Sequence, residues 1–254
     1  TAGRLEKLEL PALDADRRVV LAGGVAILST VFERLGIDEM WVSPTALREG
    51  LLYDMLGRLQ DEDPRDRTIA MLSKRYSIDK GHADRVQATA LGLLGQVAKD
   101  WHLQSEDAAH ALAWAAQRHE IGLAGTYTGH HKHGAYLVAS SDLPGFSRDE
   151  QALVAALIRG HRRKLDDSFF ETLPLELRMT AMRLCALLRL AVLLNRNRDP
   201  EVVSLPSVTA NDHKLKLSFN EPWLADHPLA RADLEREQRL VKASGRKLTG
   251  FEEE

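Results

Sequence analysis

Helical character is clearest in the stretch SRDEQALVAALIRGHRRK, residues 147–164. Ser147 and Glu150 have the spacing of a capping box, which predicts a helix start just ahead of the apolar residues that follow. The stretch closes with four fixed positive charges and one imidazole within six residues: Arg159, His161, Arg162, Arg163 and Lys164. We therefore predict a helix that leads into a basic segment.

Helical periodicity extends outward from this stretch, from Pro64 to about Asn197. Apolar side chains recur at three to four residues in two further segments, 86–97 and 184–194, each of which predicts one buried helix face. The segment 122–146 between them is rich in glycine and holds three of the ten histidines. We interpret it as a functional loop inside an otherwise all-helical domain.

The amino-terminal flank has a different pattern. Residues 17–22 predict a short strand that ends at Gly23-Gly24, and residues 25–35 predict a helix. A second strand over 39–43 and a helix over 45–58 would complete a small α/β unit. The charged stretch Asp61–Asp66, which contains Pro64, is interpreted as a linker.

The carboxyl-terminal flank predicts a small α+β module. Alternating residues over 202–208 and 214–219, joined by turn residues, indicate a hairpin; a charged helix over 228–243 follows, and residues 247–254 could add an edge strand. The predicted fold class is thus mainly α with α/β parts, divided into domains at 1–60, 61–198 and 199–254.

Composition excludes several classes of protein. Lys+Arg 34 against Asp+Glu 37 leaves a net charge of −3, so the surface is not the uniform basic coat of a non-specific nucleic-acid binder. Apolar runs are far shorter than the ~18 residues of a membrane span. The single cysteine, Cys185, forms no internal disulfide, which favours a reducing, cytoplasmic location. Because the chain begins with Thr, we expect a fragment of a longer protein.

Five strings carry a resemblance to a known family: LAGGVAIL (21–28), SPTALREGLLYDMLGR (43–58), HEIGL (119–123), HKHGAYLVASSDLPGF (131–146) and GHRRK (160–164). In this order they resemble the carboxyl-terminal half of the exopolyphosphatase and guanosine pentaphosphate phosphatase family. The resemblance implies the end of a second actin-like (RNase H-like) lobe over 1–60. An HD-like helical domain and a small terminal domain would follow it.

The resemblance also implies which part of the full-length enzyme carries out catalysis. In related actin-fold enzymes a carboxylate on the first lobe positions the attacking water, and a divalent cation neutralises the transferring phosphoryl group. That lobe has no counterpart in this sequence, so we assign no catalytic residue and expect the fragment alone to be inactive. Mg²⁺ is expected for the full-length enzyme, which should be a homodimer; no metal is assigned to the fragment.

Two candidate phosphate sites lie in the amino-terminal segment. Gly23 and Gly24, between a strand end and a helix start, could offer free backbone N–H groups to a phosphate, although such pairs are often mere turns. Arg48 could bind phosphate bidentately, or could simply be solvated or paired with Glu49.

The basic segment is the strongest candidate for binding a polyanion. On a continued helix Arg159, Arg162 and Arg163 share one side and could line a groove for a polyphosphate chain. Charges that merely complement the helix dipole are the alternative reading. Four consecutive residues earlier in the chain could extend the path: His130, His131, Lys132 and His133. Nearby phosphate would raise the protonated fraction of these histidines. Alternatively, the four residues take no part in binding.

The HD-like resemblance points to a degenerate metal pocket. His82 and His119 match two metal-ligand positions, Glu120 replaces the expected Asp, and the last ligand position falls on Val192, which cannot coordinate a metal. The pocket would then serve packing, or bind a nucleotide or phosphate.

We put first the interpretation that the chain is part of an exopolyphosphatase and binds polyphosphate. Two alternatives stay open: a guanosine pentaphosphate phosphohydrolase of the same family, and a non-catalytic module that binds nucleotide or phosphate.

Overall fold

The computed structural model describes residues 15–40, 63–199, 205–212, 214–219, 221–242 and 247–250. The chain divides into two compact units, Thr1–Leu56 and Gly57–Glu254. The candidate residue Arg48 and the helix predicted over 45–58 lie outside the described residues, as does most of the strand predicted over 39–43. The predicted division into three domains stays a prediction.

One helix, α1 (Ala15–Leu35), occupies most of the described part of the first unit. The strand predicted over 17–22 is therefore wrong, and so is the turn at Gly23-Gly24, because both glycines lie inside the helix. Residues 15–40 contain no strand that could pair with residues 17–22. A helix needs no such partner, because its backbone hydrogen bonds form within one segment. Since the glycine N–H groups belong to that ladder, phosphate binding through free N–H groups loses its structural basis.

The second unit is mainly helical, which confirms the predicted fold class. Apolar faces of its helices meet in one core, in which Leu93, Leu112, Leu157 and Leu187 are fully buried. The α-helices that build this core are α2 (Pro64–Arg75), α3 (Lys80–Val97), α4 (Glu106–Arg118), α5 (His130–Ser140), α6 (Arg148–Gly160) and α7 (Leu175–Leu194). Two short 3₁₀ helices, Ile121–Ala124 and Asp167–Phe170, join them.

Side-chain caps set several helix starts. The predicted capping box is confirmed: the Glu150 N–H donates to Ser147 Oγ at 3.2 Å, and the Ser147 N–H donates to Glu150 Oε2 at 2.7 Å. Asp63 accepts from the Arg65 N–H in the same way, so α2 begins inside the stretch 61–66. The interpretation of that whole stretch as a linker is therefore wrong.

The segment 122–146 is also more ordered than predicted. It contains most of one 3₁₀ helix and all of α5, which begins directly after Gly129, a left-handed residue with φ 79°. His130 and His131 are consequently buried on the first turn of a helix rather than displayed on a loop. Glycines at 122 and 134 let the 3₁₀ helix and α5 touch backbone to backbone.

The basic segment does not continue the helix. Helix α6 ends at Gly160, and His161 is its C-cap. Arg163 has a left-handed backbone with φ 65°. The prediction that Arg159, Arg162 and Arg163 share one helix face is therefore wrong, and the chain bends away between them.

The terminal module confirms the predicted hairpin, helix and edge strand. Strands β1 (Ser207–Ala210) and β2 (Lys214–Ser218) pair antiparallel with Val208 opposite Leu217. Strand β3 (Lys247–Thr249) pairs parallel with β2, so the sheet order is β1-β2-β3. Two helices lie between β2 and β3, α8 (Glu221–Asp226) and α9 (Pro228–Lys242).

No helix in the described ranges is both long and apolar enough to cross a bilayer.

Candidate functional site

One cavity of about 390 Å³ gathers side chains from helices that are far apart in sequence. Helix α3 contributes His82, the end of α4 contributes His119, and α9 contributes Arg236. The full lining is His82, His119, Glu120, Tyr127, His130, His161, Arg162, Arg163, Arg189, Val192, Leu193, Arg196, Arg198, Asp233, Arg236, Glu237 and Leu240. The cavity thus combines an imidazole floor with many guanidinium groups.

Two predicted groups of residues meet in this cavity. The HD-like residues His82, His119 and Glu120 line it, and so do four residues of the predicted polyanion path, which are His130, His161, Arg162 and Arg163. The sequence treated these as separate features. The structure makes them walls of a single site.

The other predicted path residues lie elsewhere. Lys164 pairs with Asp166 at 2.9 Å, and Arg159 stacks on the ring of Phe169 at 4.2 Å. His133 lies against Gly125, and Lys132 is exposed outside the cavity lining. The predicted cations therefore do not all line one groove.

The HD-like residues form a tight group. One ligand atom from each of His82, His119 and Glu120 lies within 4.8 Å of the other two. The rings of His82 and His119 are 5.4 Å apart, and the His119 ring is 5.5 Å from that of His161. His130 is a further 5.5 Å from His161, so the buried imidazoles continue into the basic segment.

Three of the cavity arginines have carboxylate partners. Arg189 binds Glu237, Arg196 binds Asp233, and Arg198 binds both Glu120 and Asp79. These ion pairs neutralise part of the cavity wall.

The other three cavity arginines have no carboxylate partner among the described residues: Arg162, Arg163 and Arg236. Burial lowers the pKa of the Arg162 guanidinium, and the positive charges of Arg163, Arg196 and Arg236 lower it further. Arg162 still donates to Nε2 of His130. Mutually repelling guanidinium groups that converge without acids form a site for an anion.

Comparison with known proteins identifies the family of this chain. The model of "Ppx/GppA phosphatase, domain III" matches residues 65–238, and that of "Ppx/GppA phosphatase family" matches residues 1–59. The chain belongs to the Ppx/GppA phosphatase family. The resemblance seen in the sequence is thereby confirmed, and the cavity lies within the residues matched to domain III.

Three similar proteins share a functional name. They come from Pseudoalteromonas translucida, Aeromonas hydrophila and Vibrio cholerae, and each is called guanosine-5'-triphosphate,3'-diphosphate pyrophosphatase. Their identities to this chain are 38%, 37% and 36%, over 95%, 94% and 93% of its length. The chain covers 48%, 49% and 47% of them, so it spans about half the length of these Ppx/GppA relatives.

A divalent cation fits the HD-like pocket of this Ppx/GppA chain poorly. The fourth ligand position is Val192, which lines the cavity with a side chain that cannot coordinate. Arg198 already donates to Glu120 Oε1 at 2.6 Å, and unpaired arginines add positive charge nearby. The donor set is incomplete and its surroundings favour an anion.

Hydrogen bonds fix the tautomers of two floor histidines. Nδ1 of His119 donates to the carbonyl of Ala116 at 2.7 Å, and Nδ1 of His161 donates to that of Ile158 at 2.7 Å. Burial lowers the pKa of His119 to about 4 and that of His161 well below its usual value. Both rings are therefore neutral at pH 7, with an unprotonated Nε2 that has no partner among the described residues.

For His130 and His131, the expected charging is opposed by their surroundings. Burial, followed by the charge of Arg159, lowers the pKa of His131 to about 4. Burial also lowers the pKa of His130, and Arg162 adds to the effect. In the protein itself these two imidazoles are neutral, because both their burial and their neighbours disfavour a further positive charge.

Acid should destabilise the helical unit through these histidines. The pKa of His119 is about 4 in the fold against 6.5 when exposed, so unfolded chains take up protons first as the pH falls. Its stabilising contribution is complete above pH 6.5 and declines toward pH 4, with a loss of about 2 kcal/mol by pH 5. Urea unfolding measured at pH 7.5, 6.5, 5.5 and 5.0 checks this.

His119→Gln supplies the matched comparison for that series. The variant should lose less stability between pH 7.5 and pH 5.0, by about the 2 kcal/mol assigned to His119. Identical pH dependence in the two proteins would contradict the assignment.

Sequence reasoning missed several cavity residues. Arg189 interrupts the apolar run of α7, and a charge inside such a run signals a buried partner. Arg196 and Arg198 lie just after the end of α7, and two arginines so close together in sequence are a signal of an anionic partner. Tyr127 and Arg236 carry no local signal, because only the tertiary fold places them beside the basic segment.

Proposed function

We propose that the protein to which this chain belongs is a guanosine pentaphosphate phosphohydrolase, and that the chain's cavity binds phosphate groups. In that reaction water forms a new bond to the terminal phosphorus, the bridging P–O bond breaks, and guanosine tetraphosphate and inorganic phosphate leave. The observation that carries the proposal is that Arg162, Arg163 and Arg236 line one cavity and have no acidic partner in the part of the chain that the structure describes.

The choice of substrate class draws support from the relatives. All the relatives described above are named for guanosine-5'-triphosphate,3'-diphosphate. The sequence put inorganic polyphosphate first, and these names favour the alternative. Arginine clusters bind phosphate whatever its attachment, so the cavity charges are compatible with either substrate.

The role proposed for this chain is binding. No catalytic residue is assigned to it, and the prediction that the chain alone is inactive stands untested. Mg²⁺ in the full-length enzyme and a homodimeric state also stay predictions. The unpaired guanidinium groups supply charge-assisted hydrogen bonds, each worth about 1.5–3 kcal/mol when formed to an anion.

Neutralising the three unpaired arginines tests the proposal. The variant Arg162→Gln/Arg163→Gln/Arg236→Gln should bind guanosine pentaphosphate at least about a hundredfold more weakly in titration calorimetry, because three charge-assisted contacts are lost. The dissociation constant of the unaltered chain should also rise steeply with salt, and that of the variant less so.

A second triple variant controls for net charge. Lys99→Gln/Lys132→Gln/Arg148→Gln removes the same charge from exposed positions outside the cavity lining. It should bind like the unaltered chain. If both triple variants weakened guanosine pentaphosphate binding equally, the effect would be due to overall charge, and the assignment of binding to the cavity would be wrong.

An exopolyphosphatase remains the second candidate function, because the guanidinium groups can bind phosphate groups whether or not a nucleoside is attached. Turnover by the full-length protein on guanosine pentaphosphate and on long-chain polyphosphate separates the two. A strong preference for polyphosphate would reverse the proposed order.

A further inference from the structure

We propose that the guanidinium of Arg198 takes the place of a metal ion in the HD-like pocket, and that removing it turns the pocket into a site for a divalent cation. The ligands of that site are Glu120 and Asp79, which Arg198 binds, and His82, which faces the Glu120 carboxylate. The inference does not depend on which anion binds the cavity, or on whether one does.

The contacts of Arg198 are those of a cation shared between two carboxylates. Its Nη2 donates to Glu120 Oε1 at 2.6 Å, and its Nη1 donates to Asp79 Oδ2 at 3.0 Å. Glu120 lies just after the end of α4, and Asp79 is the N-cap of α3. One guanidinium therefore joins the same two segments that a metal ion bound to both carboxylates would join.

The imidazole of His82 faces the same carboxylate. Its Nε2 lies 4.0 Å from Glu120 Oε1, the oxygen that Arg198 binds. Asp79 accepts from the His82 N–H at 3.1 Å, so the N-cap of α3 also fixes the turn that carries the imidazole. One imidazole and two carboxylates form a ligand set that Zn²⁺ accepts, with a further position left for water. The inference needs no coordination by His119, whose Nε2 is buried.

The backbone of Arg198 is held in an uncommon conformation. Its φ of 57° lies in the left-handed region, which residues with long side chains seldom adopt. The Arg198 N–H donates to the carbonyl of Asn195 at 3.1 Å, and the Arg198 carbonyl accepts from Nη2 of Arg85 at 3.4 Å. Backbone conformations of this kind persist where the surrounding structure enforces them, and they are concentrated at functional sites. The fold therefore fixes the residue that delivers the guanidinium.

A guanidinium in this position excludes a divalent cation in two ways. It occupies the Glu120 oxygen that the ion would need, and its charge repels an ion placed within a few ångströms. The valine at position 192 is consistent with this arrangement, because a pocket whose cation is covalently part of the chain needs no further metal ligand.

Zinc titration of Arg198→Gln tests the inference. Glutamine removes the charge, and its amide can still donate a hydrogen bond to one of the two carboxylates, which favours retention of the fold. After dialysis against a chelator, calorimetry on the 254-residue chain should show that the variant binds one Zn²⁺ at least about tenfold more tightly than the unaltered chain does, because no fixed charge competes for Glu120. Zn²⁺ should also raise the urea midpoint of unfolding of the variant and leave that of the unaltered chain unchanged.

Three further variants make the result specific to the proposed ligands. Arg198→Lys keeps a positive charge and should bind Zn²⁺ as weakly as the unaltered chain. Arg198→Gln/Glu120→Gln lacks the shared carboxylate and should lose the gained affinity. Arg196→Gln removes a neighbouring arginine, whose partner is Asp233, and should gain no affinity.

Equal Zn²⁺ affinity in Arg198→Gln and the unaltered chain would overturn the inference. A gain in affinity that Glu120→Gln leaves intact, or that Arg198→Lys or Arg196→Gln reproduces, would overturn it as well. None of these outcomes bears on the proposal that the cavity binds phosphate.

Discussion

Gly122→Ala is expected to lower the free energy of unfolding by about 3 kcal/mol or more, at the upper end of overpacking effects. A Cβ at Gly122 would lie 1.9 Å from the carbonyl oxygen of His130 and 2.6 Å from the N atom of Gly134. Both atoms belong to the backbone of α5, so no side-chain rotation relieves the clash. Helix α5 would have to move, and His130 with it. Urea unfolding followed by circular dichroism measures the loss.

A second glycine supplies the control. A Cβ at Gly95, on α3, meets nothing within 4 Å. Gly95→Ala should therefore stabilise the protein by up to about 1 kcal/mol through helix propensity. If Gly122→Ala proved as stable as the unaltered chain, the close backbone approach between the 3₁₀ helix and α5 would be wrong.

Arg189→Met is expected to cost about 3–5 kcal/mol, because it strands a buried carboxylate. Arg189 donates to Glu237 at 2.5 and 2.9 Å, to the carbonyl of Gly160 at 2.5 Å and to that of Arg163 at 2.8 Å. Its side chain is 1% exposed. One guanidinium thus joins α9 to the basic segment after α6. Affinity for phosphate should fall along with stability, because the same contacts hold Arg163 at the cavity.

Two further variants distinguish the effect of breaking the buried Arg189–Glu237 pair from the effect of losing any arginine. Arg183, also on α7, donates to the carbonyl of Trp101 at 2.9 Å and pairs with Asp212, whose side chain is 81% exposed. Arg183→Met removes these contacts but leaves no buried charge unpaired, so it should cost less than Arg189→Met, about 1–2 kcal/mol. Adding Glu237→Leu to Arg189→Met removes the stranded charge and should recover part of the loss. A double variant less stable than Arg189→Met would argue against a stranded carboxylate as the cause.

Local signals in the sequence predicted most of the helical unit. Ser147 and Glu150 predicted the start of α6 because a capping box is satisfied by residues three apart. The apolar stripe through Leu187 predicted the buried face of α7. Asn211, whose side chain accepts from the Lys214 N–H at 2.9 Å, marked the hairpin turn. Each of these features depends on neighbours within a few residues.

Features that depend on tertiary partners were predicted less well. A strand over 17–22 needs a sheet to pair with, and the described residues of that unit form a helix. His131 was read as a loop residue, because the sequence does not show that α5 packs its first turn inward. Helix α6 ends at Gly160, whose carbonyl accepts from Arg189, a residue 29 positions away that local sequence signals do not connect with it.

The candidate site combines both situations. His82, His119 and Glu120 were predicted together from resemblance, and the structure does bring them together. Their union with the basic segment was not predictable, because it requires α6 and α7 to place Arg162 and Arg198 around one cavity. Arg236 enters only through the packing of α9.

A crystal structure of the chain grown with guanosine 5'-triphosphate 3'-diphosphate would test the central claim most directly. Phosphate oxygens should lie within hydrogen-bond distance of the guanidinium groups of Arg162, Arg163 and Arg236. Ligand density at another surface, with those three side chains facing only solvent, would contradict the account.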